Sequence, residues 1–565
     1  MLGENKFKIL LDLVNAATKD ELIWMNGYLN GIVQNHTARP QPAVAATQQA
    51  NKITILYGTE TGNSKRLATD FASRAKQQNI HARVIGMDQY RLADLQKEEI
   101  LLAVVSTHGE GEPPIAAKKF YDYIHNNGFK LDKLKYGVLA LGDTSYPLFC
   151  KTGEDVDGQL KKLGGRRIAT LQKCDIEYEE EAGSWFNNVL QSLSLQNIEQ
   201  PVVELITAAP KKTGKQIYEG TVLTNINLND RGSKKHTYHI EISADAVAYQ
   251  CGDSVGIVPE NPTAEVEAII ATANADGNKK LLFKNETVSI YDLLKHKINI
   301  IHLTERLVKQ YAETVQQEIP AARMNLLDLL KIYPVKDTAQ FEDIICKMNA
   351  VSPRLYTIAS SPAAHPGEVH IVAVKDKYAV NGEEKFGLCS NFLSTLEENS
   401  TQHFFIQPNK RFRLPAENKD IIMVGPGTGI AAFRSFLAER DVTGATGRNW
   451  LFFGEQHFVS DFLYQTEIQS WYETGVLTRV NLAFSRDQKQ KIYVQHKMQE
   501  HAAELYSWLQ GGASFFICGK KDPMSYDVEK ALLQIIMQQG NKSNEEAKHY
   551  LEQLELDGRY EKDVY

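Results

Sequence analysis

Short apolar runs that end in polar, glycine-rich loops, each followed by a helical spacing, recur along the chain. Lys52–Gly58 (KITILYG) reads as a buried strand, and Leu67, Phe71 and Ala75 then recur at i, i+4, i+8, which predicts an amphipathic helix. Ile100–Val105 and Tyr136–Leu141 are two further strand-like runs ending in polar loops. From Ile217 the period changes to alternating extended runs: Ile217–Leu223, His236–Ile242 and Tyr249–Ile257. From Thr263 to Cys346 helical spacing takes over, as in Val266, Ile269, Ile270 and Leu326, Leu329, Leu330. Extended segments resume at Arg354, and from Ile421 the strand–loop–helix pattern returns. The pattern predicts an α/β multidomain chain: a doubly wound unit over 51–198, extended segments over 217–262 and 351–416 split by a helical insert over 263–350, and a second doubly wound unit over 417–565.

Two stretches fall outside this pattern. Residues 1–35 read as two short helices, with Thr18-Lys19-Asp20-Glu21 as a capping box ahead of Leu22, Met25, Leu29 and Ile32 on one face. So small a piece cannot bury its own core, so it docks on another copy or on this chain. Residues 36–50, with Pro40 and Pro42 among Ala, Gln and Thr, read as a linker, and 199–216, with Pro201, Pro210 and Lys211-Lys212, as a hinge.

Length and charge narrow the class. A chain of 565 residues fits three to four domains, and 24% charged with 43% hydrophobic residues is ordinary for a globular protein. A net charge of −7 offers nothing to nucleic acid. No run of 18 apolar residues and no signal-peptide pattern is present, so a soluble cytoplasmic protein is expected. The six cysteines are scattered without a C-x-x-C pair, which predicts free thiols and no metal cluster.

The loops carry the chemistry. Thr59-Glu60-Thr61-Gly62-Asn63-Ser64, between a strand and a helix, is a phosphate cradle, and its lack of a lysine favours a monophosphate. Ser106-Thr107-His108-Gly109 and Gly142-Asp143-Thr144-Ser145-Tyr146 stand at later strand ends, where a doubly wound sheet presents ligand loops. In Arg354-Leu355-Tyr356-Thr357 an arginine, an aromatic and a hydroxyl at i, i+2, i+3 suit a flavin dinucleotide: pyrophosphate, ring face and ring nitrogen. Gly387-Leu388-Cys389-Ser390 opens a helix and suits a pyrophosphate, as does Gly425-Pro426-Gly427-Thr428-Gly429 after a strand. Ser485-Arg486 with Lys491-Ile492-Tyr493 gathers hydroxyls and two cations, as a 2′-phosphate requires. Asp175–Glu181 holds five acids in seven positions, read either as a solvated surface or as a docking face for a basic redox partner.

These motifs in this order resemble those of the diflavin reductase family. The loops T-x-T-G-N-S, S-T-H-G-E-G and G-D-T-S-Y resemble the three FMN loops of its flavodoxin-like domain, and R-L-Y-T resembles the Arg-x-Tyr-Ser flavin motif of the ferredoxin–NADP reductases. The resemblance implies a flavodoxin-like domain, an antiparallel FAD β-barrel with an inserted helical connecting domain, and a Rossmann-like NADPH domain. It implies that Leu141, Phe149 and Cys150 join the FMN loops, with His108 and Tyr146 flanking the ring. It places Val372, Ala373, Val374 and Tyr378 on a second FAD-contact strand, and Gln495 and Asp527 beside NADPH. Thr357, Cys518 and Asp563 would surround the site of hydride transfer, with Tyr565 covering the FAD ring. The chain departs from the family pattern at His108, Thr357, Ala432 and Lys520. Thr18–Gly31 and the Asp-Val-Tyr tail resemble the bacterial sulfite-reducing branch of the family, which implies a sirohaem, iron–sulfur haemoprotein as electron acceptor and a homo-oligomer. The alternative is a soluble diflavin reductase serving another haem acceptor, such as a monooxygenase.

Overall fold

The computed structural model describes residues 52–194 and 216–565, apart from positions 60–61, 79, 109–110, 127, 145, 147, 176–177, 285, 302, 304, 321–323 and 381–382. The expected N-terminal helical segment, the linker and nearly all of the hinge lie outside the described residues, as do Glu60, Thr61, Gly109 and Ser145.

The first unit runs β1 (Lys52–Gly58), α1 (Asn63–Gln77), β2 (His81–Gly86), β3 (Ile100–Ser106), α2 (Ile115–Asn126), β4 (Lys135–Leu141), α3 (Lys151–Lys162), β5 (Arg166–Arg167), β6 (Gln172–Cys174) and α4 (Glu179–Ser194). Its strand order is β2-β1-β3-β4-β5, with β6 also on β4, and every pairing is parallel. The order reverses between β1 and β3, so their carboxyl ends open a crevice at the switch point. Strands this apolar need cover on both faces. Leu67 and Phe71 of α1 with Trp185 and Phe186 of α4 cover one; Phe120 of α2 with Val156 and Leu160 of α3 cover the other.

The second unit begins with β7 (Ile217–Asn227), β8 (Thr237–Ala244) and β9 (Ser254–Ile257). The insert follows: α5 (Thr263–Thr272), the hairpin β10 (Lys280–Phe283) and β11 (Glu286–Ser289), then α6 (Glu305–Val315), α7 (Leu326–Ile332) and α8 (Thr338–Lys347). It encloses its own core, from Val266 to Met348. The hairpin is a departure from the helical spacing expected across 263–350. Its strands have four residues each, and only Phe283 and Val288 are buried, too few to set a period of two. The sheet resumes with β12 (Arg354–Thr357) and β13 (Glu368–Val374), a hairpin of β14 (Lys377–Val380) and β15 (Glu383–Phe386), α9 (Leu388–Ser394) and β16 (Thr401–Gln407). The strand order β12-β9-β16-β7-β8-β13 is antiparallel throughout. The sheet ends meet where the Ala359 N–H donates to the His370 carbonyl at 2.9 Å.

The third unit is β17 (Ile421–Val424), α10 (Ile430–Val442), β18 (Asn449–Glu455), α11 (Gln465–Thr474), β19 (Arg479–Phe484), α12 (Val494–Glu500), α13 (Ala502–Gln510), β20 (Ser514–Gly519), α14 (Tyr526–Gln539), α15 (Asn544–Leu556) and β21 (Tyr560–Val564). Its parallel order is β19-β18-β17-β20-β21. Helix α10 is buried almost all round, because it lies between this sheet and the barrel. Phe433 and Phe436 share one core with Phe516 of the sheet and with Cys251, Ala359, Val372 and Phe412 of the barrel.

A polar network pins the same junction. Arg434 of α10 forms a bidentate pair with Glu467 (2.7 and 3.0 Å) and donates to the Ala359 carbonyl (3.0 Å) and to His370 Nδ1 (2.9 Å). A guanidinium only donates, so His370 Nδ1 accepts and its proton sits on Nε2, 2.9 Å from Glu368. Burial first, and then the Arg434 charge, push the His370 pKa down to about 2, so the ring is neutral. His239, Glu241 and His370 sit close enough to hold an ion. The Arg434 bond leaves His370 no lone pair at Nε2 for one, so the trio works as a hydrogen-bond network.

Candidate functional site

In the first unit the three loops meet at the ends of β1, β3 and β4. Gly62 takes a φ of +91° and its N–H bonds Thr59 Oγ1 at 2.9 Å, which turns the chain into α1. Among the described residues α1 has no side-chain cap, so its leading N–H groups are left for an anion, and the Ser64 hydroxyl is buried without a partner. In the second loop the Thr107 N–H bonds the Leu141 carbonyl (2.9 Å) while its Oγ1 accepts from Thr152 N–H (3.2 Å). Ser106 Oγ lies 3.5 Å from the Gly58 carbonyl, and His108 forms a short bridge with Glu112. In the third, Thr144 donates through N–H (3.1 Å) and Oγ1 (2.5 Å) to the Asp175 carboxylate, and the Tyr146 N–H bonds the Asp143 carbonyl at 3.0 Å.

Gly142 has no room for a side chain, since a Cβ would lie 2.8 Å from Phe149 and 2.9 Å from the Cys150 nitrogen. The uncapped start of α1 and the partnerless Ser64 hydroxyl fit a phosphate at the first loop. Cys150 packs beneath the third loop: its thiol is fully buried and donates to the Ala140 carbonyl at 3.3 Å, and a Cβ on Gly142 would lie 3.0 Å from its sulfur. The acidic run also divides. Asp175 holds Thr144, Tyr178 is buried with its hydroxyl bonded by Arg66 (2.6 Å) and by Arg411 of the barrel (3.3 Å), and Glu179 pairs with Arg66 at 3.3 Å.

The second cleft is assembled from three distant segments. Parallel pairing of β20 with β21 sets Cys518 opposite Asp563, and β12 delivers Thr357 to the same point. Thr357 Oγ1 donates to Asp563 Oδ2 at 2.6 Å, and the Cys518 thiol points to the same oxygen at 3.9 Å. Burial raises the Asp563 pKa above the usual carboxylate range, and the two bonds pull it back. Burial also lifts the Cys518 thiol well above its ordinary value. Gly427 takes a φ of +60°, and a Cβ on Gly429 would fall 2.0 Å from the Cys518 carbonyl, so only glycine lets this loop lie on the end of β20. At the edge of the cleft the Tyr565 hydroxyl and Thr428 Oγ1 share a hydrogen bond at 2.6 Å.

Arg354 and Leu355 are exposed on β12, and Tyr356 stands beside the Cys389 thiol. Ser390 Oγ donates to the Gly387 carbonyl (3.1 Å) and accepts from Asp376 N–H (3.0 Å). Helix α9 begins at Leu388, and Gly387 serves as its N-cap. Val372 and Ala373 are buried and Val374 ends β13. Tyr378 and Leu388 line a cavity of about 120 Å³ with Glu265, Asn325 and Asp328 of the insert. No sequence motif pointed to those insert residues. The available signal was the capping box joining Asn325 and Asp328, which marks a helix start and nothing more.

Beyond β19, Ser485 and Arg486 are fixed by backbone bonds to Glu455 and Gln456, both 2.9 Å. Asp487 is occupied by His457 (2.8 Å) and the Phe458 N–H (2.7 Å). Among the described residues neither Arg486 nor Lys491 has an ion-pair partner, and both are exposed with Tyr493 nearby in sequence at the N-cap of α12. Gln495 reaches Asp527 at 3.4 Å, which joins α12 to α14. Two free cations beside hydroxyls fit a phosphate dianion. The sequence also gave no sign of the pair between Lys235 of the barrel and the buried Glu455, 2.5 Å apart.

Family models match the three units in turn: flavodoxin over 55–185, an FAD-binding domain over 295–392 and an oxidoreductase NAD-binding domain over 423–530. A flavodoxin unit joined to an FAD-binding and a nicotinamide-binding unit defines a diflavin reductase. Full-length relatives narrow the class further. The chain is 40% identical to the sulfite reductase [NADPH] flavoprotein alpha-component of Bacillus subtilis, covering all of this chain and 98% of that protein. It is 37% identical to the protein of the same name from Shewanella sp. (strain MR-4), covering 99% and 97%, and 36% identical to that of Vibrio cholerae, covering 100% and 96%. The chain belongs to the family of sulfite reductase [NADPH] flavoprotein alpha-components. Among the described residues no helix is long and apolar enough to cross a membrane.

Proposed function

We propose that this chain takes electrons from NADPH and delivers them through FAD and FMN to the haemoprotein of a sulfite reductase, for the reduction of sulfite to sulfide. The observation that carries this reading is the convergence of Thr357, Cys518 and Asp563 beneath the Gly427–Gly429 loop. FMN would sit at the three loops of the first unit, with its phosphate at Gly62–Ser64. FAD would lie along β12, with Arg354 at its pyrophosphate, Tyr356 on its ring and Gly387–Ser390 continuing the track towards the cavity at Tyr378. The flavins supply the conversion of a hydride into single electrons.

The side chains position and exclude. Thr357 is oriented by Asp563, and its oxygen keeps a lone pair for the N–H of a reduced flavin. Cys518 and Asp563 would line the place of the nicotinamide edge and orient it for hydride transfer. Arg486 and Lys491 meet the 2′-phosphate that distinguishes NADPH from NADH. Residues 1–35 would carry homo-oligomerisation, and the cytoplasm is the compartment that fits free thiols. The test is reconstitution with a sirohaem haemoprotein. Sulfide production that requires NADPH and both flavins is the expected result. Reduction of a monooxygenase haem without sulfide production would favour a different acceptor.

A further inference from the structure

The cavity of about 120 Å³ between the barrel and the insert has apolar walls, from Pro262, Ile301, Met324 and Leu388. Three acids also line it, and they are not equivalent. Asp328 accepts the Asn325 N–H in its capping box (3.3 Å) and stands 3.6 Å from Lys385. Glu384 is exposed and pairs with Lys377. Glu265, in the first turn of α5, is half-buried, and its Oε2 is shut off from solvent without a hydrogen-bond partner. Burial is the main cause that lifts the Glu265 pKa above its ordinary value, with the Lys385 charge acting the other way. A buried acceptor left unpaired costs free energy that one donor would recover. Among the described residues no donor reaches this oxygen.

The place of the cavity narrows what could bring that donor. Leu388 follows Gly387 at the start of α9, so the cavity continues the loop assigned above to the FAD pyrophosphate. The flavin ring goes to Tyr356 at the other end of the track, which leaves the adenosine half to face the cavity. Adenine is flat, has two apolar faces, and carries a 6-amino group that donates. It suits apolar walls that hold one orphaned acceptor. We propose that Glu265 is a specificity-determining residue for FAD: its Oε2 accepts from the adenine 6-amino group. The inference deepens the placement of FAD along β12 and rests on it. A dinucleotide whose base lacks that amino group leaves the oxygen unpaired, and FMN, which has no base, gains nothing from this cavity.

The test keeps the two ideas apart. The full chain, freed of flavin and then saturated with FMN, is titrated with FAD and with an analogue carrying purine in place of adenine. Binding is followed by quenching of flavin fluorescence. Wild type should hold FAD about ten- to a hundredfold tighter than the analogue, the worth of one hydrogen bond to a charged group. Glu265→Leu should bring FAD down to the level of the analogue, which gives the residue and the amino group a non-zero coupling. Should Glu265→Leu fail to fold, Glu265→Gln keeps an oxygen acceptor without the charge and is expected to retain a preference of about three- to tenfold. Arg354→Ala probes the placement beneath the proposal: it should loosen FAD and the analogue alike, and no loss for either would overturn the placement of FAD along β12. With that placement supported, equal affinity of wild type for FAD and the analogue would overturn the role of Glu265. An equal loss for both ligands in Glu265→Leu would overturn it too, since the donor would then be a ribose hydroxyl.

Discussion

The two ligand clefts of this protein are built on opposite plans. The loops of the first unit, from Thr59 to Tyr146, hang from neighbouring strands of one parallel sheet whose core they do not share with the rest of the chain. The second cleft joins Thr357 to Asp563 across 206 positions, and it exists only because the barrel and the third sheet pack around α10. A local site can be lost or kept with its own sheet. A composite site depends on a docking interface, so its failures should spread through both partners while leaving the first unit intact.

The sharpest way to break the contrast is Asp563→Ala. It removes the group that orients Thr357 and faces Cys518, so NADPH-driven ferricyanide reduction should fall about a hundredfold through lost positioning. FMN content should stay unchanged; loss of FMN would mean that the first unit leans on the second cleft. Next in size is Arg486→Ala. Loss of a charge-assisted bond of roughly 1.5–3 kcal/mol should lower kcat/KM for NADPH about ten- to a hundredfold, mostly through KM. With NADH the value should barely move, and equal losses for both coenzymes would make Arg486 structural.

In the opposite direction, Asp175→Ala removes both bonds to Thr144 and should loosen FMN about tenfold, read by fluorescence of released flavin. The NADPH–ferricyanide reaction should be intact in that variant. The smallest effect concerns pH. His239, His365 and His370 are all held below the ordinary histidine pKa by burial. Below about pH 6.5 the unfolded chain therefore binds protons that the folded junction refuses, so stability should decline as the pH falls. His370→Asn should flatten this slope by at most about 1.4 kcal/mol per pH unit in denaturant titrations. An unchanged slope would place the acid sensitivity elsewhere.

The same contrast explains what could be read in advance. The loops of the first unit are contiguous stretches with their own periodic surroundings, so strand, loop and helix were legible together. The motifs at Arg354–Thr357, Gly425–Gly429 and Ser485–Tyr493 were legible for the same reason. What escaped was relational. Cys150 takes the left-handed region at the start of α3, a backbone turn that no spacing reveals. Arg434 looks like a surface charge on a helix, yet it is buried because two domains close over it. Lys235 and Glu455 pair across 220 positions, and Glu265 faces a cavity formed between the barrel and an insert that carries no motif.

The shared core around α10 also sets what evolution can exchange. A recombination break between residues 194 and 216 leaves the apolar cores on either side whole, so a flavodoxin unit can be traded between genes as a cassette. A break near residue 417 would part Phe412 and Val372 from Phe433, Phe436 and Phe516, and each inherited half would expose an unmatched apolar face. Barrel and nicotinamide sheet are therefore expected to descend together, with their substitutions at this seam changing in step, while the first unit keeps a more independent ancestry.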